Sequence, residues 1–229
     1  MAIPERYQRN LSSLSEEECA LLARSRVVVV GCGGLGGHVI EALARAGVGF
    51  LRVVDGDEFA RSNLNRQLLC TEDVIGRKKV AVAAERVRAV NSDVTVEPVD
   101  TFVDEENAPR ILAGADVVVD CLDSLEARFW TARACQCLGI PIVYGAIAGW
   151  FGQACTVYPG DVSFATVYGE PTDAGCHKEL GNLSPTALAI AAIQSAEAIK
   201  VLLGRPGQIR NRLLMVDLLD GSVEDVILR

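Results

Sequence analysis

Residues Val27 to Val30 are apolar at every position and run straight into Gly31-Cys32-Gly33-Gly34-Leu35-Gly36-Gly37, after which a helical pattern extends from Leu35 to Ala46. A strand without polar alternation suits the centre of a parallel sheet, covered on both faces. Gly31, Gly33 and Gly36 satisfy G-x-G-x-x-G, and Gly34 adds a further residue without a side chain where a helix opens. Such glycines let the backbone turn tightly and approach a phosphate, which the free amides and dipole of the helix N-terminus attract. Asp55 ends the next apolar run, where a ribose-binding carboxylate belongs. The bland alternative is tight helix-strand packing with no ligand. A nucleotide is the stronger reading, and an NAD-dependent oxidoreductase would fit this much equally well.

The rest of the chain extends the same architecture. Strands are predicted at Val27–Val30, Leu51–Val54, Val94–Pro98, Val117–Asp120 and Ile142–Tyr144, with helices at Leu35–Ala46, Lys78–Val90, Glu105–Ala113 and Leu125–Leu138 between them. Their alternation predicts an α/β fold: a doubly wound, Rossmann-like, mainly parallel sheet. Further strands are expected at Gln153–Tyr158, Arg212–Leu218 and Glu224–Leu228, around a Gly- and Pro-rich stretch, Pro159–Pro185, and a core helix, Ala187–Leu203. With 229 residues, half of them hydrophobic, one domain is expected. It divides into an N-terminal helical segment (1–25), a nucleotide-binding core (26–147) and a partner-binding region with the crossover loop (148–229).

A net charge of −8 argues against a nucleic-acid binder. The first eighteen residues carry no apolar segment of the signal-peptide kind, and Gln194, Ser195, Glu197 and Lys200 interrupt the apolar helix, so neither export nor a membrane span is expected. Eight cysteines without such a leader fit a reducing compartment, and the cytoplasm is the expected location.

What separates the nucleotide chemistries lies beyond Asp55. The chain continues Asp55-Gly56-Asp57, Asn63-Leu64-Asn65-Arg66-Gln67 and Gly76-Arg77-Lys78-Lys79-Val80. A nucleotidyl transferase needs cations to neutralise charge developing on leaving phosphates, and Arg66 and Lys79 fit that need, whereas a dehydrogenase has no use for them. A charge run with Arg61 and Arg77 in it can also be a solvated face. Asp120-Cys121-Leu122-Asp123-Ser124 puts carboxylates at the C-terminal edge of the sheet, where a triphosphate would bring magnesium. One of Asp120 and Asp123 is expected to cap the helix that follows.

Taken in this order, the glycine loop, D-G-D, N-L-N-R-Q, the R-K-K-V lysine and D-C-L-D-S resemble the ubiquitin-activating-enzyme superfamily, in its ThiF/MoeB/HesA branch of sulfur-carrier adenylyltransferases. Arg6-Tyr7-Gln8-Arg9-Asn10 is similar to that family's N-terminal R-Y-x-R segment, and Pro141–Gln153 to its strand and turn before the crossover loop. The resemblance implies ATP-dependent adenylation of the C-terminal glycine of a small ubiquitin-like carrier ending in Gly-Gly. It implies ribose contact by Asp55 with Asp57 beside it, phosphate contacts by Asn63, Arg66 and Lys79, magnesium on Asp123, and a homodimer in which Arg9 reaches the partner's nucleotide. Carrier tails in this family thread beneath the crossover loop, here Pro159–Pro185.

Two departures qualify the resemblance. No C-x-x-C occurs anywhere, with Phe164 and Val167 near the place of the first pair, so the structural zinc of many relatives is not expected. Ser124 stands where an asparagine is usual. Cys176, beside His177 and Lys178, lies where some relatives carry a cysteine that links covalently to the carrier, although a loop cysteine commonly has no such role. Cys19, Cys32, Cys70, Cys121, Cys135 and Cys155 are expected to pack, and His38 to be structural. A non-catalytic, dimeric ATP-binding scaffold is the remaining alternative.

Overall fold

The computed structural model describes residues 3–161 and 180–228. Eight strands form one sheet: β1 (Arg26–Val30), β2 (Phe50–Val54), β3 (Thr95–Val99), β4 (Val117–Asp120), β5 (Ile142–Ala148), β6 (Phe151–Val157), β7 (Arg212–Asp217) and β8 (Ser222–Ile227), in the order β3-β2-β1-β4-β5-β6-β7-β8. The first five run parallel and the last three antiparallel. The unalternating valines of β1 lie between β2 and β4, at 0–1% exposure, as a two-sided parallel strand requires. Fully burying each such side chain contributes about 1.5 kcal/mol or more. Pro98 sits in β3, an edge strand, where a missing N–H costs no ladder bond.

Six α-helices are described: α1 (Glu16–Leu22), α2 (Gly34–Ala46), α3 (Lys79–Val90), α4 (Ala108–Leu112), α5 (Leu125–Leu138) and α6 (Ser184–Leu202). Val27, Val29, Leu51 and Val53 pack into one apolar layer with residues of α2, α3 and α6. Val28, Val30, Val54 and Val118 pack into the other with α4 and α5. The helix predicted from Glu105 begins only at Ala108, because Asn107 and Asp104 exchange bonds in a turn and Pro109 opens the helix. β5 runs on to Ala148 and β6 starts at Phe151, because Gly149 and Trp150 close a hairpin between them. α6 starts three residues ahead of expectation, with Pro185 in its first turn.

α6 has the length and composition of a membrane span, with a mean hydropathy of 1.2. Yet it buries Gln194 and Glu197 with partners: Gln194 Nε2 donates to Asp120 O at 2.7 Å, and Glu197 accepts from Thr156 Oγ1 and the Ile209 amide. Buried polar groups with such bonds mark a core helix rather than one facing lipid.

Candidate active site

The C-terminal ends of β1, β2 and β4 converge at the point where strand order reverses, and the glycine loop sits there. Gly31 takes φ +98°, and a Cβ on it would lie 2.6 Å from Cys121 O. One at Gly36 would lie 1.8 Å from Gly31 O, so no side chain fits either position. α2 opens from Gly33 without a side-chain cap. Its first helical bond is Gly37 N–H to Gly33 O, and the amides of Gly34, Leu35 and Gly36 have no acceptor among the described residues. By contrast, Ser15 caps α1 and Ser124 caps α5. That overturns the expectation that Asp120 or Asp123 caps the helix: Ser124, one residue nearer to it, accepts the Ala127 amide.

Asp55 closes the loop from the β2 side. Its two oxygens accept the Cys32 and Asp57 amides, each at 2.8 Å, so the carboxylate shapes the loop and keeps only its remaining lone pairs for a ligand. Phe102, two-thirds exposed, lays its ring on the Cα of Gly56, beside Asp55. An exposed aromatic face there is a signal that sequence reading passed over.

The predicted cations divide sharply. Arg77 pairs with Glu85, and Lys78 reaches Glu58 and Asp100, so both belong to the solvated face. Lys79 is buried, its Nζ 2.9 Å from the exposed Asp57. Its charge also lowers the thiol pKa of Cys32 in the glycine loop, against the burial that pushes that thiol well up. Arg66 packs across the loop, its Cγ 3.6 Å from the point where Gly34 would carry a Cβ. Asn63 is committed in part to local structure: its Oδ1 accepts the Ala60 amide, and its carbonyl takes the amides of Arg66 and Gln67. Asn65 Nδ2 donates to Asn182 O, tying this segment to the chain just before α6.

Asp120 and Asp123 have different surroundings. Asp120 is fully buried, accepting the Leu122 amide at 2.9 Å and Arg128 Nη1 at 3.2 Å. Burial pushes its carboxyl pKa up, opposed chiefly by the Arg128 charge. Arg128, also buried, donates to the carbonyls of Gly145 and Leu122 and stacks 4.7 Å from the Tyr144 ring centre. It was missed because an arginine inside a helical pattern reads as surface. Asp123 stands exposed beyond this clamp, with no hydrogen bond or ion pair among the described residues.

One predicted residue is not brought to this loop. Arg9 is exposed, in a 3-10 turn, Glu5–Asn10, that is fixed by Tyr7, whose ring lies under Gly47 and whose hydroxyl accepts from Asn91. Gly47 caps the far end of α2, so about 20 Å of helix separates that anchor from the glycine loop of the same chain. Cys176 lies outside the described residues, as do Phe164, Val167, His177 and Lys178. Cys19, Cys32, Cys70, Cys121, Cys135 and Cys155 are buried and free; burial raises their thiol pKa, to about 12 for Cys135 and Cys155. Among the described residues no group of three metal-ligating side chains occurs.

The model of the ThiF family matches residues 7–229. The chain belongs to the ThiF family. It is 40% identical over 230 residues to the SAMP-activating enzyme E1 of Haloferax volcanii, covering 97% of this chain and 84% of that one. It is 35% identical over 236 residues to the sulfur carrier protein adenylyltransferase of Thermus thermophilus, covering 98% and 87%. The fold matches a crystal structure of E. coli MccB with ATP at a TM-score of 0.84 and 22% identity, over 99% of this chain and 72% of that chain. With the family shown, this ThiF-family chain is an adenylyltransferase that uses ATP.

Proposed function

We propose that the chain adenylates the C-terminal glycine carboxylate of a small ubiquitin-like sulfur-carrier protein ending in Gly-Gly, consuming ATP and releasing pyrophosphate. The observation that carries this reading is the uncapped helix at the glycine loop with Arg66 laid across it and Lys79 beside it. A hydride-transfer enzyme would need neither cation. The relatives named above support neither a nicotinamide-dependent oxidoreductase nor a non-catalytic scaffold.

The glycine cradle, the free amides and the cations fit a triphosphate, and the exposed Asp123 carboxylate fits a magnesium ion carried with it. Magnesium would neutralise charge on the phosphates. Asp55 would take the ribose with its remaining lone pairs, with Asp57 alongside, and Phe102 offers a face for the adenine. Asn63, Arg66 and Lys79 would hold the phosphates, Lys79 exchanging Asp57 for a phosphate oxygen.

The reaction is an in-line attack of a carboxylate oxygen on the α-phosphorus. The bond from that phosphorus to the bridging oxygen breaks, and pyrophosphate leaves with the electron pair. The nucleophile is already an anion, so no general base is needed. Catalysis rests on orientation and on charge set in place beforehand.

Arg9 cannot serve its own loop across the length of α2, which supports a homodimer in which it serves the partner's. The carrier's body would lie on the half-exposed apolar face of β6 and β7, where Phe151 and Met215 project. The whole chain acts as one adenylation domain, in the cytoplasm. Cys176 would either link to the carrier after adenylation or play no part; in both cases Cys176→Ala keeps adenylation. With no C-x-x-C pair, a structural zinc is not part of this reading.

The test is exchange of labelled pyrophosphate into ATP, dependent on a Gly-Gly-ending carrier. Exchange should be present in the parent chain and lost in Asp123→Ala. Full exchange in that variant, or none in the parent with any such carrier, would overturn the reading.

A further inference from the structure

Gln67 is 6% exposed, yet its carboxamide makes no hydrogen bond among the described residues, and its Oε1 is a buried acceptor with no partner. Its backbone is fully used, the N–H donating to Asn63 O and the carbonyl accepting the Cys70 amide, so only the side chain is unaccounted for. Buried amides are almost always paired in native proteins, and an unpaired one calls for an explanation. Simple packing does not supply it, since a methionine or leucine would fill the same space without stranding polar atoms.

Its position gives the explanation. The Nε2 atom lies 3.5 Å from where a Cβ would stand on Gly33, the residue from which α2 opens, so the carboxamide borders the same small space as the unbonded amides of Gly34, Leu35 and Gly36. Arg66 reaches the neighbouring residue, Gly34, from the same segment. One short turn, held by the Asn63 carbonyl, thus presents a charged donor and a neutral donor to one helix N-terminus.

We propose that Gln67 is a phosphate-contacting residue of the nucleotide site. Its amide N–H₂ completes the donor set of the glycine loop by bonding a non-bridging phosphoryl oxygen, a contact that offsets the cost of leaving the Oε1 of the same carboxamide unpaired. The inference rests on the ATP-binding reading above and assigns the loop a ligand contact from a side chain. A neutral donor suits the place: it binds the oxygen without adding a third full charge beside Arg66 and Lys79, which must still let pyrophosphate leave.

The test compares two ligands that differ only in phosphate. Adenosine and ATP are titrated by ligand-observed NMR against the parent chain, Gln67→Met, which keeps the volume and deletes the amide, and Gln67→Asn, which keeps an amide one methylene short. A hydrogen bond to a charged group predicts that Gln67→Met weakens ATP about 10-fold or more while adenosine binding is unchanged. Its thermal midpoint should equal or exceed the parent's, because a stranded polar group has been removed. Equal weakening of both ligands, or no weakening of either, would overturn the proposal. Should Gln67→Met fail to fold, Gln67→Asn decides by the same ratio of ATP to adenosine affinity. If the parent itself binds no ATP, the adenylation reading fails first, and the two failures are told apart.

Discussion

The two ends of the sheet are built on opposite rules. From β3 to β5 the strands are parallel, and β1 and β4 have every apolar side chain covered by helices. From β6 to β8 they are antiparallel, and β8 leaves Val223 and Ile227 more than 60% exposed. Parallel strands send all their C-terminal ends to one edge, so the glycine loop, Asp55 and the Asp120–Ser124 turn meet without any long excursion of the chain. Antiparallel strands gather no such edge. They offer instead a broad face, with Phe151 and Met215 half-exposed on adjacent strands beside Asp217 and Glu224. Exposed apolar area with a polar rim is the character of a surface that meets another protein. In the proposed function, chemistry and partner recognition fall to different ends of one sheet.

The largest effect should come from breaking the parallel end across two subunits. Arg9→Ala should lower pyrophosphate exchange about 1000-fold, the scale of a lost arginine donor in phosphoryl chemistry, and Asp123→Ala should abolish it. If Arg9 acts across a dimer, mixing the two inactive chains rebuilds one intact site per heterodimer. Recovery of activity after subunit exchange, toward a quarter of the parent's in an even mixture, checks this; no recovery would place Arg9 elsewhere.

Next in size is the clamp behind Asp123. Arg128→Met strands the buried Asp120 carboxylate, and breaking such a pair costs about 3–5 kcal/mol. A drop of roughly 10 °C in the thermal midpoint is expected for a chain of this size. Adding Asp120→Asn should restore most of it, because the uncompensated charge is then gone. A double variant as unstable as the single one would mean that Arg128 acts through its carbonyl bonds to Leu122 and Gly145 rather than through Asp120.

Much of this was legible in the residues. The valine run, the glycine spacing and the alternation of apolar strands with helical stretches specify the parallel end, because full burial and tight turns leave few other sequences possible. Lys79 was legible from its place after Gly76-Arg77-Lys78, but its partner Asp57 was not, since that pairing depends on how the turn after β2 folds back. Arg128 and Gln67 were invisible as site residues: only tertiary packing turns a helical arginine inward or strands a glutamine. Ser124 took over the capping expected of a carboxylate because it lies directly before the helix, while Asp120 is held by Arg128 eight residues on. The antiparallel end was legible as strands but not as a hairpin starting at Phe151.

A smaller effect is expected at that end. Phe151→Ser with Met215→Ser removes two projecting apolar groups from the face without touching the glycine loop. The affinity for the carrier should fall about 10-fold, the scale of losing a central interface contact, with ATP affinity unchanged. Equal loss of both would deny the division between the two ends.

The smallest predicted effect returns to α2. His38 is half-buried on the helix that the glycine loop opens, its Nε2 has no partner among the described residues, and Glu41 lies one turn on, held by Arg45 and Arg86. Burial lowers the imidazole pKa below its usual 6.5, and Glu41 opposes this only in part. A histidine whose pKa is lower in the folded chain binds fewer protons there than when unfolded, so stability rises with pH through the window just below 6.5 and is level above it. Acidification therefore costs the fold the preference of this site for the neutral ring, an effect of under about 1 kcal/mol for a half-buried group. His38→Gln keeps a polar side chain of similar reach and removes the titration. The urea midpoint of the parent should fall between pH 7.5 and pH 5.5 by more than that of the variant. Equal shifts in the two chains would assign the acid sensitivity to the carboxylates instead, and with it remove the one titrating histidine from the base of the nucleotide loop.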